Sequence, residues 1–124
     1  PFIDPKLIDR AVMIYNKKNY DIVTNIFPKT FPKGFSVEVI RSKIILNSIQ
    51  KIKKKVHKEH LTSYFYRNYN KYKIKNFFNN VNYNNLNFSI DSKNDFTKAK
   101  KIAKNIRNRG FTLNDILKIS QKII

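Results

Sequence analysis

The segment Asn87-Phe88-Ser89-Ile90-Asp91-Ser92 decides the fold class, because it leads from a short apolar stretch to a carboxylate just ahead of a helical pattern. An α/β protein uses this order to set an acid at the carboxyl end of a strand, where open sheets hold their ligands. Asp91 is therefore a candidate ligand for Mg²⁺, which prefers oxygen donors and usually takes one or two protein carboxylates. The alternative is that Asp91 only caps the helix that follows, since Asp is a preferred N-cap residue.

Capping patterns predict the two helices that follow this segment. Ser92 with Asp95 resembles a capping box, and apolar residues continue behind it at helical spacing. Thr112 with Asp115 repeats the pattern ahead of the last helix. The carboxyl-terminal part of the chain is therefore predicted to be a pair of amphipathic helices.

Upstream of this segment, helices and strands are predicted to alternate. Asp4 and Pro5 stand where an N-cap and a first helical residue belong. The patterns that follow predict strands at 21–24, 36–40 and 72–78, helices at 45–56 and 57–68, and loops at 25–34 and 79–87. Strands separated by helices predict an α/β layer fold, although there are too few strands for a complete doubly wound sheet.

Composition excludes several classes of protein. At 124 residues the chain can form one modest domain, and without cysteine it has no disulfide framework and no thiolate zinc site. No apolar run approaches the length of a membrane span. Gly34 and Gly110 are the only glycines, so there is no Gly-rich phosphate loop. The start at Pro1 has neither an initiator Met nor a signal-peptide layout, and we expect the chain to be a segment of a longer protein.

The formal charge of +18 has two explanations. A basic excess of this size suggests nucleic acid or an anionic membrane as a partner. However, the lysines are spread along the whole chain, and 51–55 is the only dense cluster. The chain is also rich in Asn and Ile, which share AT-rich codons with Lys, so the composition favours drift over selection for a polyanion surface.

A succession of blocks resembles the cytidylyltransferases of the spore-coat polysaccharide type, which are related to acylneuraminate and 3-deoxy-manno-octulosonate cytidylyltransferases. The blocks occur in the family's order and cover nearly the whole chain: 1–9, 24–39, 58–62, 88–96 and 110–117. Two positions depart from the family pattern. Ser36 stands where the family has Asp, and Ser63 stands where it has Pro. The Ser36 change leaves it open whether the enzyme is active.

The resemblance implies the carboxyl-terminal portion of a nucleotide-diphospho-sugar-transferase-like, Rossmann-type sheet with flanking helices. Residues 1–124 would be a single domain fragment without the nucleotide-binding half, and inactive alone. The implied activity is transfer of CMP from CTP to a sugar for surface polysaccharide, with Mg²⁺ as cofactor. The implied setting is cytoplasmic, with a possible homodimer, no membrane and no specific nucleic acid partner.

The resemblance also implies a set of site residues, although it assigns no catalytic residue. Asp91 would bind Mg²⁺, and the sugar pocket would be lined by Asn25, Lys29, Gly34, Glu38, Glu59 and His60. The residues themselves leave plainer roles open: a solvated charge at Lys29, a turn at Gly34, a solvent-facing strand position at Glu38, and helix-terminus features at Glu59 and His60. His57 is expected on the surface.

Two other classes of function stay open at this point. One is a basic nucleic-acid-binding module, in which the aromatics of 64–69 would stack on bases. The same aromatics are more typical of helix packing. The other is a catalytically inactive interaction domain derived from the transferase.

Overall fold

A three-stranded sheet forms the centre of the fold in the computed structural model, which describes residues 1–107 and 109–123. Its strands are Ile22–Thr24 (β1), Glu38–Ile40 (β2) and Ile74–Asn76 (β3). The strand order is β2-β1-β3, with β1 antiparallel to β2 and parallel to β3. Helices flank this mixed sheet, which confirms the predicted α/β class.

Helices connect and cover the strands. Their bounds are Pro5–Lys17 (α1), Ser42–Ser48 (α2), Lys55–Glu59 (α3), Leu61–Arg67 (α4), Lys93–Asn105 (α5) and Leu113–Ile123 (α6). Short 3₁₀ turns lie at Ile49–Lys51 and Tyr69–Lys71. None of the helices within the described ranges is long and apolar enough to cross a membrane.

The central strand β1 is buried along its whole length, as expected for a strand with a neighbour on each side. Its register places Thr24 opposite Glu38 on one side and opposite Asn76 on the other. The carboxyl end of β1 therefore stands beside the start of β2. This junction carries one part of the candidate site described below.

Four phenylalanines join the sheet region to the loops. Phe35 meets Phe88 edge-on with ring centroids 5.8 Å apart, and Phe31 meets Phe77 in the same way at 5.8 Å. Fully burying one such side chain contributes roughly 1.5–3 kcal/mol. Because Phe35 and Phe88 are far apart in sequence, their contact fixes the loop before β2 against the segment that leads into α5.

Asp4 ties the first helix to the last one. Its Oδ1 accepts a hydrogen bond of 2.9 Å from Lys6 N, which confirms the predicted N-cap of α1. Its Oδ2 accepts a second bond of 3.0 Å from Leu113 N, at the start of α6. One buried carboxylate thus satisfies free amides at the amino ends of two helices.

We expect Asp4→Ala to lower the free energy of unfolding by about 1–3 kcal/mol, because it removes a cap and leaves a buried amide without an acceptor. Asp9→Ala is the matched control, since Asp9 is an exposed acid on the same helix and should change stability by less than about 0.5 kcal/mol. Urea unfolding of both variants measures the difference. Equal stabilities would show that Asp4 does not join the helices.

The predicted helix over 45–56 is wrong. α2 ends at Ser48, a 3₁₀ turn follows, and Ile52 leaves helical geometry at φ −84° and ψ 87°. The proposed buried stripe fails with it, because Ile49 is 57% exposed and Val56 is 46% exposed while Ile52 is buried. A 3₁₀ turn has three residues per turn, so apolar residues spaced for an α-helix lose their common face there.

The predicted helix over 57–68 is also interrupted. His60, at φ −126° and ψ 78°, separates α3 from α4. The Ser63 side chain donates to His60 O at 2.6 Å, and this local bond competes with a continuous helix. His57 is buried rather than on the surface, with its Nδ1 2.5 Å from Ser63 Oγ. Among the aromatics of 64–69, Phe65 is buried as predicted, whereas Tyr69 is 61% exposed.

The segment 87–90 is not a strand of the sheet. It forms one isolated parallel bridge, between Asn87 and Lys33, through Phe88 N to Lys33 O at 2.8 Å. The Asn87 side chain accepts from Ser89 N at 2.9 Å, so this amide bonds locally instead of to a ladder. The N-cap of α5 is Ser92, which accepts from Asp95 N at 3.1 Å. The alternative in which Asp91 only caps the helix is therefore wrong.

Candidate functional site

Asn25 organises the loop that leads from β1 to β2. It is fully buried, its Oδ1 accepts from Val37 N at 2.8 Å, and its Nδ2 donates to Phe35 O at 2.8 Å. These two bonds pull the end of the loop back against β1. The side-chain amide of Asn25 is thus hydrogen-bonded to backbone groups at both ends. These bonds fix the segment that runs from Gly34 to Glu38.

Gly34 lets this loop approach the segment that carries Asp91. Its φ is +99°, and a Cβ built at this position would lie 2.9 Å from Phe88 C and 2.9 Å from Ser89 N. Real Cβ atoms do not come so close to backbone, and L-residues rarely adopt this φ. The position therefore requires glycine for both reasons.

Asp91 lies at the end of this contact as an exposed, ionised carboxylate. Its Oδ2 accepts from Lys33 Nζ at 2.7 Å and from Ser89 Oγ at 2.7 Å. The hydrogen bond from Lys33 is the main cause that lowers the pKa of Asp91, and the bond from Ser89 and the Lys33 charge add to it. The same contact raises the pKa of Lys33. Both contacts use Oδ2, so a cation bound at Oδ1 would leave them in place.

Lys29 is a second cation near Lys33. Burial lowers the pKa of Lys29, and the positive charge of Lys33 lowers it further. Lys33 is thus the cation that contacts Asp91, and Lys29 adds positive charge on the Lys33 side of the loop.

Glu38 occupies a different, drier part of the site. Burial raises the pKa of its carboxyl group, and the neighbouring hydroxyl groups of Thr62 and Tyr66 of α4 partly offset that effect. The Tyr66 hydroxyl donates to Thr24 Oγ1 at 3.2 Å. Burial and the neighbouring Glu38 charge raise the pKa of Tyr66. Glu38 therefore lies partly buried against α4, in a group of hydroxyls, rather than on an open strand face.

We expect Glu38→Gln to make the protein more stable at neutral pH. Because the folded state raises the pKa of Glu38 above its ordinary value of 4.5, the native protein holds the proton more tightly than the unfolded chain. The free energy of unfolding therefore falls as pH rises from the ordinary pKa of Glu38 through its raised pKa in the folded state, and Gln removes this loss. The gain should disappear when pH falls below the ordinary value.

Glu59→Gln is the matched control for this prediction. Glu59 is exposed, and its ion pair with Lys55 is long at 4.0 Å, so its replacement should change stability little at any pH. Thermal melts of both variants across the acidic range give the comparison. A constant difference between Glu38→Gln and the parent at all pH values would contradict the burial argument.

Glu59 and His60 lie at the junction of α3 and α4. Both side chains are exposed, and Thr62, which contacts Glu38, follows two residues after His60. Within the described part of the chain, no hydrogen bond joins either side chain to Glu38. The structure therefore brings the junction near the Glu38 group through the backbone of α4.

Sequence reasoning missed four side chains of the site. They contact the residues that it predicted, and they are Lys33, Thr62, Tyr66 and Ser89. Lys33 and Asp91 are 58 positions apart, so no local pattern joins them. Lys33, Thr62 and Ser89 fall inside blocks that carry the family resemblance, and this was the available signal.

Among the described residues, the acidic, histidine and cysteine side chains form no group of three or more that could hold a metal ion. Asp95 is the acid beside Asp91, since its Oδ2 accepts from Asp91 N at 3.2 Å. That oxygen also accepts from Ser92 Oγ at 2.8 Å, which uses it for capping. Both carboxylates thus keep Oδ1 free of the hydrogen bonds described, so Asp95 could serve as a second carboxylate beside Asp91.

These elements define a mixed α/β fold. No family model matches the chain, and no curated protein does. A solved structure of a cytidylyltransferase from Leptospira borgpetersenii serovar Hardjo-bovis (strain JB197) matches it with a TM-score of 0.86 and 24% identity. The match covers 98% of this chain and 52% of that one, so this chain spans about half the length of that protein. The likeness confirms the predicted fold.

Proposed function

We propose that this chain is the acceptor-sugar half of a cytidylyltransferase that moves CMP from CTP to a sugar. The observation that carries the proposal is the match of 98% of the chain to a cytidylyltransferase structure. The cluster of Lys33, Ser89 and Asp91 supports it, because it joins a cation and an ionised carboxylate on one surface. The proposed product is a CMP-sugar for surface polysaccharide.

In the proposed reaction a sugar hydroxyl attacks the α-phosphate of CTP. A new phosphorus–oxygen bond forms, the bond to pyrophosphate breaks, and the hydroxyl proton is released. Such displacements depend on positioning and on neutralisation of charge more than on covalent help from the protein. Lys29 and Lys33 would bind negative groups of the reactants, and Glu38 would accept a hydrogen bond from a sugar hydroxyl. Asn25 and Gly34 would shape this wall of the pocket, and Glu59 and His60 would form the other.

Mg²⁺ is the cofactor that we propose, with Asp91 as its ligand in this chain. The residue fits the ion, because it is an ionised oxygen donor whose hydrogen bonds both use Oδ2. Bound Mg²⁺ would neutralise charge on the triphosphate. The residues of this chain would hold the sugar and the lysine-bound phosphate oxygens in place around it. Mg²⁺ commonly takes one or two carboxylates, with water and phosphate oxygens as the other ligands.

The proposed partners are CTP and an acceptor sugar, in a cytoplasmic protein that can form a homodimer. A nucleic-acid module is the less favoured alternative, because two of the aromatics in 64–69 are used internally. Phe65 is buried, and Tyr66 interacts with Thr24 and Glu38. Base stacking needs free aromatic faces.

A pyrophosphate-release assay tests the proposed function. The full-length protein should release pyrophosphate only when CTP, Mg²⁺ and a suitable sugar are all present, and a panel of acidic and deoxy sugars would identify the acceptor. Residues 1–124 alone should release none. Release by the full-length protein that needs no sugar, or none with any sugar, would contradict the proposal.

A further inference from the structure

A basic cleft lies away from the candidate site, between the turn after α2 and the face of α4. Its volume is about 340 Å³, and His57 and Tyr64 line it together with four cations: Lys51, Lys53, Lys54 and Arg67. We propose that this cleft binds a small phosphate ester or similar oxyanion that carries two negative charges. The inference does not depend on the proposed transferase activity.

The four cations of this cleft have no internal counter-charge. None of the described residues that line it is acidic, and no salt bridge of the described ranges involves any of the four. The nearest acid in sequence, Glu59, pairs with Lys55 at 4.0 Å instead. A bound dianion would supply the missing counter-charge and make charge-assisted hydrogen bonds.

His57 adds a fixed polar group to the wall of the cleft. It is only 5% exposed, and its Nδ1 lies 2.5 Å from Ser63 Oγ. The Ser63 hydroxyl proton goes to His60 O at 2.6 Å, so Ser63 Oγ must accept from Nδ1–H of His57. The tautomer of neutral His57 is thereby fixed.

The remaining nitrogen of His57, Nε2, stays available to a ligand. Among the described side chains no buried nitrogen or oxygen lacks a hydrogen-bond partner, and the hydrogen bond of His57 is made through Nδ1. Nε2 is therefore not fully enclosed, and the ring lines the cleft. In the neutral tautomer Nε2 is an acceptor, so it would take a hydrogen bond from a hydroxyl group of a phosphate ester held by the lysines.

The shape of the cleft favours a small ligand over a nucleic acid strand. A volume of about 340 Å³ lies at the low end of small-molecule pockets. Tyr64 meets His57 edge-on at 5.8 Å and Phe65 edge-on at 5.5 Å, so its ring is engaged in packing. A single-stranded nucleic acid would need free aromatic faces along a basic track.

Calorimetric titration of the full-length protein with glycerol phosphate and with inorganic sulfate tests this inference. Both should bind at physiological ionic strength, and the triple variant Lys53→Gln/Lys54→Gln/Arg67→Gln should bind them at least roughly tenfold more weakly. The control Lys93→Gln/Lys100→Gln/Lys104→Gln removes the same charge from exposed positions of α5, and it should stay within about twofold of the parent.

Nitrogen NMR of the imidazole gives a second readout, because glycerol phosphate should shift the Nε2 resonance of His57 in the parent and in the control but not in the triple variant. Failure of the parent to bind either anion would overturn the inference, as would equal losses in the two triple variants. Tighter binding of a single-stranded oligonucleotide, lost in the same cleft variant, would replace the small anion with a nucleic acid. Sugar-dependent pyrophosphate release should be the same in all three proteins, so this test is separate from that of the transferase.

Discussion

Replacing Asp91 with Asn in the full-length protein should lower kcat by about two orders of magnitude or more, because it removes a negative ligand from the proposed Mg²⁺. Asn is nearly isosteric with Asp, so the shape of the site should be kept. The fold should be kept as well, since the Asp91 side chain is 59% exposed and Ser92 provides the cap of α5. We therefore expect a large loss of turnover with almost no change in Tm.

Two further variants separate a metal ligand from a partner of Lys33. Lys33→Gln breaks the same 2.7 Å ion pair but leaves the carboxylate in place, so its activity should still saturate with Mg²⁺. Asp91→Asn should instead require much more Mg²⁺, or fail to respond to it. Asp9→Asn removes an exposed acid elsewhere and should change neither kcat nor the Mg²⁺ dependence. An unchanged kcat in Asp91→Asn would end the assignment of the metal site.

Local signals account for the parts of the fold that the sequence predicted well. The side chains of Asp4, Ser92 and Thr112 each accept a hydrogen bond from a backbone amide within the next three residues. A cap and the start of its helix are therefore visible in one short stretch of sequence. The three strands also lie inside their predicted segments, because β-branched and aromatic residues mark them. These features need no knowledge of distant contacts.

The interrupted helices show where periodicity fails as a guide. Apolar residues at 45, 49, 52 and 56 have helical spacing, yet the chain turns through a 3₁₀ segment at Ile49–Lys51 and starts again at Lys55. The interruption goes with burial of Ile52 and His57, and burial is a tertiary effect that local spacing does not show. Apolar spacing that suits a continuous helix also occurs in an interrupted helix when tertiary packing stabilises the interruption.

The candidate site could be predicted in its residues but not in its arrangement. Asp91 was chosen from its place between an apolar stretch and a helix and then through the family resemblance, and Gly34 was chosen through the resemblance. The structure adds that Lys33 and Ser89 bind the Asp91 carboxylate, and that the backbone of Phe88 and Ser89 lies close to Gly34. The Lys33–Asp91 contact and the approach of Gly34 to Phe88 join segments more than fifty residues apart, so no spacing rule gives them, whereas Ser89 lies two positions from Asp91. Whether the predicted pocket residues bind sugar stays a prediction.

Gly34→Ala should be the most destabilising single change in the loop, lowering the free energy of unfolding by about 3 kcal/mol or more. Two independent costs add here. The φ of +99° is unfavourable for any L-residue, and the new Cβ would lie 2.9 Å from backbone atoms that cannot swing away as a side chain can. Relief would require the loop to move off Phe88 and Ser89.

That movement should also disturb the site, because Lys33 and Asp91 lie on the two segments that Gly34 brings together. We expect Gly34→Ala to weaken the Lys33–Asp91 contact and to lower turnover along with stability, unlike Asp91→Asn, which should lower turnover alone. Gly110→Ala is the matched control, since an added Cβ there has no described atom within 4 Å, and it should be neutral or stabilise by up to about 1 kcal/mol. Urea unfolding of the two variants decides the matter: if Gly34→Ala proved as stable as Gly110→Ala, the close approach of the loop to the Asp91 segment would not exist in solution, and the arrangement that places Lys33 on Asp91 would have to be abandoned with it.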